Sequence, residues 1–150
     1  MADLYPDEEG YICDGNVIAF CKLAGTTALH EGVKFGTTDA SGVISVLAGT
    51  AFGDCNAVAL KAGVTGEFVP VCFYGVVKML AGDTLTAGDI LKSGTTAQYV
   101  LPIDTFTHDQ FSLWRGLCGE TTGTIFRLGM ALQEGAVYGD DLLVLIGRIA

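Results

Sequence analysis

The sequence predicts an all-β protein, a small barrel or sandwich, on three observations. Twenty-one glycines against three prolines punctuate the chain. Between them lie short runs rich in Val, Ile, Leu, Phe and Thr, and one segment alone departs from that rhythm with helical spacing. Short apolar runs bounded by turn residues at close intervals are what sandwiches and barrels are made from.

In chain order, 1-MADLYPDEEG-10 is acidic but carries Leu4, Tyr5 and Pro6, which reads as an extended arm with apolar anchors laid on a neighbouring subunit. A frayed terminus is the plain alternative. Residues 11–150 then form a single barrel domain. Its strands are expected at 16-NVIAFCKL-23, 43-VISVL-47 and 55-CNAVALK-61, then at 67-EFVPVCFYGVVKML-80, which holds Pro and Gly as an edge or bulged strand does. A fifth follows at 97-AQYVL-101. In 107-THDQFSLWRGLC-118, Thr107 and Gln110 have capping-box spacing, Phe111, Trp114 and Cys118 share a helical face, and Gly116 is a stop. A short helical turn is expected there, with Trp114 plugging one end of the barrel. The runs 124-TIFRLGMAL-132 and 141-DLLVLIGRI-149 complete the set.

One stretch is written twice. The run 49-GTAFGDCNAVAL-60 returns as 135-GAVYGDDLLVLI-146, pairing Gly49, Gly53 and Asp54 with Gly135, Gly139 and Asp140. A glycine beside an aromatic permits positive φ, and the aspartate bonds the turn amides, so both copies are expected to be equivalent structural corners. A further echo, 81-AGDTLTAGDIL-91, repeats Gly-Asp without the ligand spacing of a calcium loop.

Charged residues are 17% of the chain and apolar residues 50%, with a net charge of −9. Low charge with high apolar content points to subunit contacts and a homo-oligomer, most simply a trimer. No apolar run reaches membrane-spanning length, so no membrane partner is expected. The negative charge opposes a nucleic-acid partner, and the acidic amino terminus has no secretory pattern, which implies synthesis in the cytoplasm. Five cysteines (Cys13, Cys21, Cys55, Cys72, Cys118) are an odd number without close metal-binding pairs, and read as buried thiols. A cysteine nucleophile would need His30 or His108, and neither sits in an acid–base arrangement with its neighbour Glu31 or Asp109. No catalytic residue, metal or cofactor is expected.

The succession 66-GEFVPVCFYGVVKML-80, 82-GDTLTAGDILKSG-94 and 127-RLGMALQEGAVYGDDLLVLIG-147 resembles the phage head decoration, or capsid cement, proteins. The resemblance spans about residues 60–147 and is interrupted by 99–123. It implies a non-enzymatic β-protein that binds the outside of an expanded icosahedral head, often as a trimer, with the major capsid protein as partner. On that reading Leu4, Tyr5 and Pro6, and Phe106, Phe111 and Trp114 of the interruption, are the expected capsid or subunit contacts. Two other classes remain open: a tail or fibre module that binds carbohydrate through exposed aromatics over a shallow groove, and a small oligomeric barrel enzyme with polar groups converging between subunits.

Overall fold

The computed structural model describes residues 16–36, 42–51, 53–103 and 127–147. These hold nine strands: β1 (Val17–Leu23), β2 (Gly32–Phe35), β3 (Ser45–Ala48), β4 (Ala57–Ala59), β5 (Phe68–Ala81), β6 (Ile90–Ser93), β7 (Tyr99–Pro102), β8 (Gly129–Ala131) and β9 (Asp141–Ile146). The protein is all-β, with no helix among the described residues. The helical turn expected over 107–118 lies outside them.

Strand pairing closes a small barrel. β1 runs parallel to β3 and antiparallel to β5, β2 is antiparallel to β3 and β4, and β4 is antiparallel to β5. The circuit β1-β3-β2-β4-β5 therefore returns to β1, and a closed circuit leaves no strand edge open. The sequence placed one barrel over the chain, yet the same circuit occurs again. β5 runs parallel to β7 and antiparallel to β9, β6 is antiparallel to β7 and β8, and β8 is antiparallel to β9. An N-terminal and a C-terminal ring of identical topology thus share β5, which gives its first half to one and its second half to the other.

This arrangement corrects two expectations. Of the edge or bulged strand expected, β5 is the bulged one and no edge: residues 71 and 72 pair with both β1 and β4 and Leu80 with both β7 and β9, and Pro70 is accommodated opposite Phe20 while its carbonyl accepts from Leu60 N–H at 2.9 Å. The glycine and bulge signals mark the handover between rings. The register skips Phe73 between Tyr74 and Cys72, and Gly75, with φ of 146°, is the first residue to pair with β9. The second correction concerns the written repeat. Gly53 precedes β4 whereas Gly139 precedes β9, and the counterpart of β9 is β5. In ring topology Gly139-Asp140 therefore matches Gly66-Glu67, and the 49–60 and 135–146 segments are not equivalent.

The cores match position by position. Cys21, Leu23, Val33, Val46, Ala57, Ala59, Val69 and Val71 fill the N-terminal ring. Register places Met79, Ala81, Leu91, Val100, Gly129, Ala131, Leu142 and Val144 at the corresponding sites of the C-terminal ring, and all but Gly129 belong to its buried apolar cluster. That cluster also takes in Cys55, Val58, Leu60 and Cys72 from the N-terminal ring, so the two bodies pack against each other. Polar bonds fix the joint: Gly53 N–H donates to Ser93 O at 2.9 Å, Cys55 N–H to Ser93 Oγ at 3.3 Å, and Gly32 N–H to Ala97 O at 2.8 Å. Burial pushes the Cys55 thiol up to about 12, which keeps it protonated and inert at neutral pH. Cys21, Cys55 and Cys72 are buried and in no disulfide.

Candidate interaction surface

Each ring carries two copies of one turn. Ala28 N–H donates to the Glu31 carboxylate at 2.6 Å, Val64 to Glu67 at 2.9 Å, Thr86 to Asp89 at 2.8 Å and Val137 to Asp140 at 3.1 Å. The residue before each carboxylate has positive φ: 57° at His30, 93° at Gly66, 95° at Gly88 and 90° at Gly139. A carboxylate three residues on satisfies the amide that the tight turn leaves unpaired, and a left-handed residue brings it round. The two turns of each ring are bridged just before they begin, Thr27 to Gly63 and Leu85 to Gly135. The acidic residues of the Gly-Asp echoes are therefore occupied in holding turns. Among the described residues no group of three His, Cys, Asp or Glu side chains is placed to hold a metal.

Gly53-Asp54 repeats this chemistry locally, away from the ring turns. Gly53 has φ of 69°, and Asp54 accepts from Thr50 N–H at 3.0 Å, Ala51 N–H at 3.1 Å and Lys34 Nζ at 3.0 Å. Burial opposes ionisation of Asp54, but the Thr50 amide, the Lys34 ammonium and the Ala51 amide outweigh it and hold the carboxyl below its ordinary value. Gly49 is needed for close approach, since a Cβ there would collide with Cys55 Sγ and Asp54 Oδ1. Gly135 is similarly crowded by Ala81 Cβ at 2.8 Å. The expected contact residues Leu4, Tyr5, Pro6, Phe106, Phe111 and Trp114 all lie outside the described residues.

What the structure brings together is a pair of exposed faces, one per ring. On the N-terminal ring, Ile18 and Phe20 of β1 stand on the outer side of the ladder with Phe68 of β5; Phe20 is 72% and Phe68 55% exposed. At the same ring's open end Phe35 stacks on Phe73, with centroids 5.8 Å apart. The position matching Phe35 in the C-terminal ring is Ser93, which the N-terminal ring covers. Exposed aromatics at this density mark an interaction surface. The sequence did not carry this signal, because Ile18, Ala19, Phe20 and Cys21 are all apolar and only the fold shows which pair faces outward.

On the C-terminal ring, Tyr99 and Tyr138 stack at 4.7 Å and 13° above a cavity of about 270 Å³. Gly82, Gly94, Thr95, Thr96 and Leu101 form the rest of its wall. The neighbouring Tyr99 hydroxyl raises the Tyr138 hydroxyl above its ordinary pKa. Sequence reading passed over this pair, since the two tyrosines stand far apart in the chain and only ring closure joins them.

The fold defined by these rings is that of a small all-β module, and it has a solved counterpart. The chain is similar to the crystal structure of the head fibre gp8.5 N base in bacteriophage phi29, with a TM-score of 0.54 and 17% identity, over 90% of this chain and 98% of that one. At that identity the likeness is one of fold. No family profile matches the chain, and no curated protein does.

Proposed function

We propose that this protein is a structural component of a phage virion, carried on the outside of the head and acting by binding alone, as a capsid cement subunit or as the base of a head fibre. The observation that carries the reading is the exposed aromatic face of the N-terminal ring, on a body whose fold is shared with a head fibre base. The acidic residues support it from the other side: those of the ring turns are engaged in structure, which suits an interaction module. The partner is the major capsid protein, and a trimer seated on the coat lattice through Phe20 and Phe68 would bridge neighbouring coat subunits. A subunit that binds only the assembled lattice stabilises it by mass action, by about 2.7 kcal/mol per site at a free concentration 100 times the Kd.

The test is to mix the purified chain with expanded, undecorated heads and to image them. Added density at regular lattice positions identifies a cement subunit; density confined to the foot of fibres identifies a fibre base. Heads left bare at micromolar protein overturn both. Deleting residues 1–10 in the same assay measures whether Leu4 and Tyr5 anchor the contact.

A further inference from the structure

We propose that the Tyr99–Tyr138 groove of the C-terminal ring is a binding site for one ring of a neutral saccharide. The inference stands apart from head binding, since it concerns the other ring and a different class of ligand.

The first argument is internal to the molecule. Register equates Tyr99 with Ser45, Gly82 with Ala24 and Gly94 with Gly36, and turn position equates Tyr138 with Thr65. The N-terminal ring therefore builds the same corner with no aromatic side chain. The ring circuit does not need the tyrosines, and Tyr138, at 68% exposure, contributes little burial to its own fold. Gly82 adds to the point. A Cβ there would meet Leu101 Cδ2 at 2.9 Å and Val100 O at 3.1 Å, so the groove floor stays at backbone level where the other ring carries Ala24.

The second argument is the chemistry of the wall. It joins two phenol rings, one leucine, two glycines and the hydroxyl-bearing Thr95 and Thr96, and among the described residues it holds no Lys, Arg, Asp or Glu. Aromatic faces bind the apolar C–H face of a pyranose, while phenol and threonine hydroxyls and glycine backbone reach its equatorial hydroxyls. An uncharged wall on a chain of net charge −9 disfavours anionic sugars and gives a cation no partner within the groove. A cavity of about 270 Å³ lies below the usual range for drug-sized ligands and suits a single ring. So small a contact implies weak binding, with Kd on the order of 1 mM.

The experiment is an amide NMR titration of the full chain with glucose, galactose, N-acetylglucosamine and N-acetylgalactosamine, each to about 50 mM, well above that Kd. At least one sugar is expected to move the amides of Gly82, Gly94, Thr95 and Thr96 saturably. Tyr138→Thr and Tyr99→Ser install the residues that the N-terminal ring already uses at this corner. Both are expected to fold and to weaken binding at least tenfold, whereas Tyr138→Trp keeps it. The proposal is overturned if none of the four sugars moves these amides, or if Tyr138→Thr binds as tightly as the wild type. It is also overturned if Tyr138→Thr lowers the particle mass in light scattering without any sugar response, which identifies the groove as a contact between copies.

Discussion

The two rings have the same circuit and fill it differently. Of the eight matched core positions, Val46 and Val100, Ala59 and Ala131, and Val71 and Val144 keep their residue type. At the others, size is exchanged: Cys21, Val33 and Val69 give way to the larger Met79, Leu91 and Leu142, while Leu23 and Ala57 give way to the smaller Ala81 and Gly129. Interiors pack to nearly constant density, so a large residue at one position demands a small one at another. What persists is the carboxylate turn, built with Glu31 and Glu67 in one ring and with Asp89 and Asp140 in the other, the acceptor three residues past the amide in every copy. Topology is thus specified by turns and inward alternation, and residue identity in the core follows from local volume.

The strongest test of this comparison is the most unequal pair, Ala57 and Gly129. A Cβ on Gly129 would run into the Leu145 carbonyl and Val144 Cγ1, and a backbone oxygen in a closed ladder cannot move aside. Gly129→Ala is expected to cost about 3 kcal/mol, and Ala57→Gly about 1 kcal/mol. Urea midpoints measure both. Equal costs would mean that the rings are filled independently of this exchange.

The same exchange explains what sequence reading could reach. β1, β5 and β9 were legible because each is a mostly apolar run of six residues or more. β2 and β6 were not read as strands. Each has four residues, two of them apolar, and begins directly after its turn as Gly32-Val33-Lys34-Phe35 or Ile90-Leu91-Lys92-Ser93. Both hold the central place in their circuit, so missing them hid the duplication. The written repeat at 49 and 135 was real as turn chemistry, since Asp54 and Asp140 both bond the amide three residues back. It misled as topology, because one local device serves at non-equivalent places. Neither part of the candidate surface was read from sequence: the run 17–21 is apolar on both faces, and the Tyr99–Tyr138 groove required knowing which strands meet.

A second test asks whether the N-terminal ring depends on a carboxylate with no counterpart among the ring turns. Asp54 takes two amides and Lys34 at once, and hydrogen bonds to a charged group are worth about 1.5–3 kcal/mol each when broken in place. Partial exposure and retained neutral bonds reduce this, so Asp54→Asn is expected to cost about 1–2 kcal/mol at pH 7. The folded pKa lies below the unfolded one, near 3.9. The stabilisation is therefore complete above about pH 4 and is lost as pH falls through the folded value. Urea midpoints of wild type and Asp54→Asn should converge on acidification. A difference that stays constant to pH 2 would assign the cost to geometry and not to charge.

A third test exploits the bridge that joins the turns. Thr27 and Leu85 hold matching positions, and both are buried. Thr27 Oγ1 has no hydrogen-bond partner among the described residues. Thr27→Val keeps the shape and removes that hydroxyl, and is expected to raise stability by about 1 kcal/mol. Leu85→Thr, the reverse move in the other ring, should cost more than Thr27→Val gains, because it also removes packed volume. A destabilised Thr27→Val would show that the hydroxyl is engaged after all, and that the two bridges differ in kind.

The smallest effect is expected at the second ion pair. Lys34–Asp54 is tied into a loop by amide bonds, and both its partners are mostly sheltered. Lys78–Asp141, at 3.3 Å, spans β5 and β9 in the open, with side chains 43% and 60% exposed. In water the attraction across such a distance is screened, and holding two long side chains together costs rotamer entropy. Lys78→Met keeps the aliphatic stem on the sheet while removing the charge, and should change stability by less than about 0.5 kcal/mol at physiological salt. Raising the salt to about 1 M should remove even that difference, because the screening length falls to about 3 Å. A loss above about 1 kcal/mol that resists salt would place Lys78 among the groups that hold the rings together, beside Ser93 and Ala97. It would then be part of the joint and not a surface charge, and the contrast between the two ion pairs would vanish.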